Sequence, residues 1–178
     1  MALGKSKKTA APEASEGAGA SGRVLGQFVV FAVAGEEYCV QILRVQEIIR
    51  MVPVTWLPRK PSYVIGVLNL RGEIIPVIDL RLKFGLPKKN YTKFTRILIV
   101  QIGEKLVGMV VDAVEEVLEV REDQMESEPD MISSGQTSDY IHGIAKIGER
   151  VVILLELNKV LSEEDVLALS KVTAGGNA

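Results

Sequence analysis

The stretch VIGVLNLRGEIIPVIDL, residues 64 to 80, returns 77 positions later as IHGIAKIGERVVILLEL, residues 141 to 157. In that register Gly66 meets Gly143, Ile74 meets Val151, Asp79 meets Glu156 and Leu80 meets Leu157. A second pair, VVFAVAGEEYCVQIL (29 to 43) and ILIVQIGEKLVGMVV (97 to 111), matches at an offset of 68 and sets Gly35 against Gly103 and Glu36 against Glu104, as in matching hairpin turns. The nine residues separating the two offsets fall in a polar stretch near 121 to 140. A unit used twice predicts two copies of one small fold. Each unit consists of short apolar runs broken by Gly, Pro or charge, which read as strands. The fold class is therefore all-β, two barrels of about five strands each packed side by side. Helical patterning is confined mainly to the C-terminal end, where Ser162 before Glu163, Glu164 and Asp165 reads as an N-cap with an acidic first turn.

The repeat also shows where the halves differ. Arg71, a lone cation inside the apolar run, stands against Gly148. A residue that the fold requires recurs in both halves, so a charge present in one half only is a candidate for a task outside the fold. On spacing alone the alternative, a solvated hairpin arginine, stays open. Gly66 and Gly72 read as structural turn glycines, the second because a two-residue turn needs positive φ. Pro76 cannot donate a ladder hydrogen bond, which marks its strand as an edge or as bulged there.

Composition removes several function classes. The chain has 178 residues, 47% of them apolar, with a formal charge of -2, enough for one domain or two small ones with real cores. No basic field favours nucleic acid. Residues 1 to 24, rich in Ala, Gly, Ser and Glu, read as a disordered tail, and 171 to 178 as a flexible C-terminus. They flank a domain over 25 to 170 made of one barrel at about 32 to 94 and another at about 95 to 156, with terminal segments open to exchange between them. No apolar run reaches the ~18 residues of a membrane span, and the single cysteine, Cys39, reads as a buried, inert thiol. The expected location is the cytoplasm.

Enzymatic readings lack parts. The only histidine, His142, lies in the strand-like YIHGIA and reads as a partly buried structural imidazole. One His and one Cys do not make a structural zinc site, and the glycines at 66, 72, 103 and 108 form no phosphate-binding loop. The acid pairs Glu36-Glu37 and Glu115-Glu116 read as solvated. The expectation is an interaction module with no catalytic residues, cofactor or metal.

The block GVLNLRGEIIPVIDLRLKFG, preceded by GEEYCVQILRVQEII and followed by KLVGMVVDAVEEVL, resembles the CheW family of bacterial chemotaxis coupling proteins over about Gln27 to Leu167. The run N-L-R-G-x-I-x-P-x-x-D-L is its most specific part. The resemblance implies two intertwined five-stranded SH3-like barrels with short helices, and a scaffold that bridges the cytoplasmic tips of methyl-accepting chemoreceptors and the regulatory domain of the histidine kinase CheA. It implies no nucleic acid partner and no membrane insertion. It assigns a receptor- and kinase-interaction groove at the junction of the barrels to Val45, Glu47, Arg71 and Val117, with Glu47 and Arg71 facing each other as a charge pair. A second reading is a stand-alone SH3-like barrel that binds a small ligand or single-stranded nucleic acid. That reading needs a basic groove with stacking aromatics, whereas aromatics are 5% of the chain and Trp56 reads as a hydrophobic plug beside a turn.

Overall fold

A computed structural model of the chain describes residues 22–126 and 139–176, with side chains as far as 171. Most of the expected N-terminal tail and of the polar stretch between the halves lies outside these residues. Eleven strands are described: β1 (Val24–Val33), β2 (Glu36–Gln41), β3 (Val45–Arg50), β4 (Val64–Leu70), β5 (Glu73–Asp79), β6 (Arg96–Ile102), β7 (Lys105–Val111), β8 (Ala113–Arg121), β9 (Met125–Glu126), β10 (Ile141–Ile147) and β11 (Arg150–Leu155). Three helices accompany them, α1 (Leu80–Lys83), α2 (Leu157–Val160) and α3 (Glu163–Gly176). Val24, placed at the end of the expected tail, already belongs to β1, and α3 runs on into the expected flexible C-terminus.

The repeat is visible in hydrogen bonds. The Asp79 backbone N–H donates to the Tyr63 carbonyl and the Glu156 N–H to the Tyr140 carbonyl, each at 2.8 Å. Both acids then cap a one-turn helix, Asp79 accepting from the Arg81 N–H and Glu156 from the Asn158 N–H.

The strands exchange between halves. One sheet runs β8-β1-β2-β11-β10-β9 and the other β3-β6-β7-β5-β4. Each therefore joins a hairpin from one half to strands from the other, through the parallel contacts of β2 with β11 and of β5 with β7. The barrels are intertwined, and neither is a contiguous half of the chain. The first sheet has six strands rather than five because the short β9 pairs with β10.

Alternation explains why so many strands are apolar on both faces. In β1, Val29, Phe31 and Val33 enter a core shared by the two sheets, and in β6 so do Leu98, Val100 and Ile102. The intervening Phe28 and Val30 join a cluster within the first sheet, and Ile97 and Ile99 one within the second. Three cores arise from one period-2 pattern. Cys39 is fully buried, and desolvation pushes its thiol up to about 12, well away from a reactive thiolate.

Two sequence expectations change here. β5 is not an edge strand: it pairs with β4 along its length and with β7 only from Val77 onward. Pro76 sits just before that contact, where its missing N–H removes no bond to β7. Gly66 is not in a turn. It lies inside β4 at a bulge, with φ +153°.

The start of α3 is tied down by charge. The Ser162 hydroxyl accepts from the Asp165 N–H at 3.1 Å while the Asp165 carboxylate accepts from the Ser162 N–H at 2.9 Å, a reciprocal cap. Asp165 also accepts from Lys83 at 2.9 Å and from the Tyr63 hydroxyl. Burial pushes the Asp165 carboxyl up, yet the bonds from Tyr63, Ser162 and Lys83 outweigh it and hold the group at about 2. A carboxyl with a lowered folded-state pKa stabilises above its unfolded value, and that stability is lost as pH falls through the folded value. The wild-type Tm is therefore expected to fall more steeply than that of Asp165→Asn between about pH 5 and pH 2, measured by thermal melts across that window. Parallel curves would contradict the assignment.

Candidate functional site

Arg71 owes its position to a two-residue hairpin. Arg71 and Gly72 adopt φ +53° and +86° between β4 and β5, the pairing of positive angles that matches strand twist in the tightest hairpins. Asn69 steadies the turn by accepting the Gly72 N–H at 2.9 Å. From this tip the guanidinium reaches Glu47 of β3 with two bonds, 2.7 and 2.9 Å. β3 and β4 are the two outer strands of the five-stranded sheet, so the pair bridges the ends of the sheet.

The geometry is a bidentate fork on an exposed surface. Arg71 keeps 69% of its side-chain exposure and Glu47 keeps 26%. The Arg71 hydrogen bonds hold the Glu47 carboxyl below its ordinary range, and Glu47 in turn raises the guanidinium. The carboxylate is held in a fixed direction while the guanidinium still presents N–H groups to solvent.

The backbone supplies a further argument. A non-glycine residue in the left-handed region costs about 1–2 kcal/mol, and the matching position of the other half is Gly148, at φ +63°. The fold itself is better served by glycine here. Arg71→Gly is therefore expected to leave the Tm unchanged or raise it by about 2–4 °C, as read by calorimetry; a clear drop would make the ion pair a folding element.

The expectation that this charge has no counterpart is corrected by Arg150. The second hairpin places Arg150 two residues beyond Gly148, where it binds Glu116 of β8 at 2.7 Å and Glu37 of β2 at 3.1 and 3.0 Å. Each barrel thus has an arginine from its long hairpin holding a carboxylate of its outer strand. The two clamps differ in setting, because Arg150 is more covered, with 35% side-chain exposure, and shared between two acids. Glu37 and Glu116 are accordingly ion-paired rather than merely solvated. Glu115, hydrogen-bonded to Glu37, has its carboxyl raised by that contact.

The structure brings Glu47 and Arg71 together and places Val45 on the same strand, across a bulge from Glu47. Val45 is half-buried against the shared core. Val117 lies on β8, the outer strand of the other sheet, exposed and opposite Val29. No hydrogen bond or ion pair among the described residues links Val117 to the Glu47–Arg71 pair.

Two further residues differ from expectation. His142 is exposed, 3.8 Å from a Glu156 oxygen, because it is the extra residue at the bulge between Ile141 and Gly143. Trp56 is exposed rather than a plug, with the Lys60 ammonium 5.7 Å from its ring centre. Among the described residues no three His, Cys, Asp or Glu side chains gather in a way that could hold a metal ion.

Comparison with known proteins adds to this geometry. The family model described as CheW-like domain matches residues 27–165. A chemotaxis protein CheW of Klebsiella aerogenes is 37% identical over 153 residues, covering 85% of this chain and 92% of that protein. One from Bacillus subtilis is 36% identical over 138 residues, covering 78% of this chain and 88% of its own length. The crystal structure of the scaffolding protein TtCheW from Thermoanaerobacter tengcongensis superposes with a TM-score of 0.71 at 37% identity, over 77% of this chain and 92% of that one.

Proposed function

The chain belongs to the CheW family of chemotaxis scaffold proteins, and from that premise we propose that it couples methyl-accepting chemoreceptors to the histidine kinase CheA without catalysing a reaction of its own. The observation that carries the reading is the Glu47–Arg71 clamp, an exposed, directionally fixed pair held at a hairpin tip at positive φ. Strain held at an exposed recognition group is a mark of function. In this reading a receptor helix lies by its amphipathic face against Val45 and Val117, and Arg71 sets its register. No helix among the described residues is long and apolar enough to cross a membrane. Recruitment to receptor arrays on the cytoplasmic face follows from the receptors.

The test is assembly from purified parts. Co-sedimentation of the chain with a receptor cytoplasmic fragment and with the regulatory domain of CheA should give binary complexes with each and a ternary complex with both. Failure to bind either partner would overturn the coupling role while leaving the fold assignment in place.

A further inference from the structure

The end of the five-stranded sheet remote from Arg71 carries a second surface. Cross-strand partners place Arg50 opposite Arg96, Arg96 opposite Val111, Asp79 beside Val110 and Val64 opposite Ile78, so all of these mark one end of that sheet. The chain leaves this end at Arg50 and returns at Val64, then leaves it again at Asp79 and returns at Arg96. Residues 50 to 62 and 86 to 96 together contain seven of the chain's 21 Lys and Arg and none of its 23 Asp and Glu. Among the described residues no carboxylate forms a salt bridge with Arg50, Arg59, Lys60, Lys88, Lys93 or Arg96, whereas Arg71, Arg81, Lys83, Arg121 and Arg150 all have acid partners. Two like charges directly opposite on a ladder are unfavourable. The Arg96 guanidinium donates to the Lys93 and Thr95 carbonyls at 2.8 and 2.9 Å, which holds the side chain in place without neutralising either charge.

Large rings are interleaved with these cations. Trp56 is 66% exposed and Phe94 58%. Lys60, Lys88 and Lys93 each sit over a ring, at 5.7, 5.8 and 5.3 Å from the centres of Trp56, Tyr91 and Phe94. Exposed aromatics beside arginines, with a depletion of acids, are the composition of a protein-binding centre.

We infer that this end of the barrel, centred on Trp56, Lys60, Lys93, Phe94 and the Arg50–Arg96 pair, docks an acidic protein surface, separately from the Glu47–Arg71 site. The charge balance selects the class of partner. With a net formal charge of -2 despite this basic end, the rest of the molecule is strongly acidic and repels an extended polyanion, so nucleic acid and anionic bilayers meet an unfavourable field beyond the patch. A compact acidic protein patch meets only the basic end. The rings supply apolar contact, and the guanidinium forks receive carboxylates in bidentate geometry.

Trp56 is the chain's only tryptophan, which makes it a reporter at the surface itself. The full chain is titrated with a poly-L-glutamate peptide short enough to lie within the basic end, with phosphatidylglycerol vesicles and with single-stranded oligothymidylate, and Trp56 emission is followed. The expected result is saturable binding of poly-L-glutamate that weakens with added salt and exceeds the response to the other two probes. Lys60→Glu with Lys93→Glu is expected to weaken it at least about tenfold. Lys105→Glu with Lys146→Glu, the same change in net charge made elsewhere, should alter it less than about twofold, as should Arg71→Ala. Stronger binding of vesicles or oligonucleotide, no binding of poly-L-glutamate, or equal loss in both double variants would overturn the inference.

Discussion

Arg71→Glu is expected to leave the protein folded and to weaken receptor binding by about tenfold or more. The variant sets two carboxylates against each other where the wild type has a fork with bonds of 2.7 and 2.9 Å to Glu47. The pair is exposed, so the fold loses little when the charge is reversed. Recognition loses more, because Glu47 is no longer held in direction and the positive group offered to the partner becomes negative. Like charge brought against a partner built for the opposite sign suppresses both encounter and register. Glu47→Arg should fail in the same way by placing two guanidinium groups together. The double exchange restores the internal pair but reverses what solvent and partner meet, so a partial rescue is expected. Binding to a receptor fragment, measured with thermal stability on each variant, separates the effects. Full binding by both single variants at unchanged stability would remove Arg71 from the interface.

Gly66→Ala should produce the largest loss of stability of any conservative change considered. A methyl group at Gly66 would stand 2.3 Å from the Thr55 carbonyl oxygen and 2.9 Å from its carbonyl carbon. Both are backbone atoms, so no rotamer change relieves the overlap. Thr55 and Val67 exchange backbone hydrogen bonds of 2.8 and 2.9 Å, and parting the strands far enough for a methyl group breaks both. Adding the cost of a non-glycine residue at φ +153°, the expected destabilisation is about 3 kcal/mol or more, a fall in Tm of about 6–12 °C. Gly35→Ala is the control: its φ is +82° and nothing lies within 4 Å of an added methyl group. That variant carries the backbone strain without the overlap and should cost about 1–2 kcal/mol. Equal losses in the two variants would show that Thr55 does not approach β4 so closely.

The strands were legible because period-2 apolar runs between Gly and charged residues have few other readings, and the duplication was legible because both long hairpins end in an acid that caps a short helix. The exchange of strands between barrels came with the family resemblance, which implied intertwined barrels, and not from the apolar pattern. β1 and β6 are apolar on both faces, so their pattern says that each face is covered without saying by which half. The Glu47–Arg71 pair was reached through family resemblance, since positions 24 apart carry no local signal. Arg150 was missed because the repeat sets it against Glu73, two residues away from Arg71's place; an arginine beside the turn in each half was the available clue. His142 and Trp56 were misplaced for local reasons. A bulge turned one outward, and the other lies in a segment with Pro53, Pro58 and Pro61 that makes only one isolated bridge to the sheet.

Coupling is read out by receptor-stimulated autophosphorylation of CheA. Receptor-containing membranes and the kinase are held constant while purified chain is added, as wild type and as Arg71→Glu. Kinase activity is expected to rise with wild-type chain in a saturable way, to fall again when attractant is supplied, and to stay near its starting level with Arg71→Glu. Kinase activity that ignores the wild-type chain at concentrations where it binds both partners would contradict the coupling role.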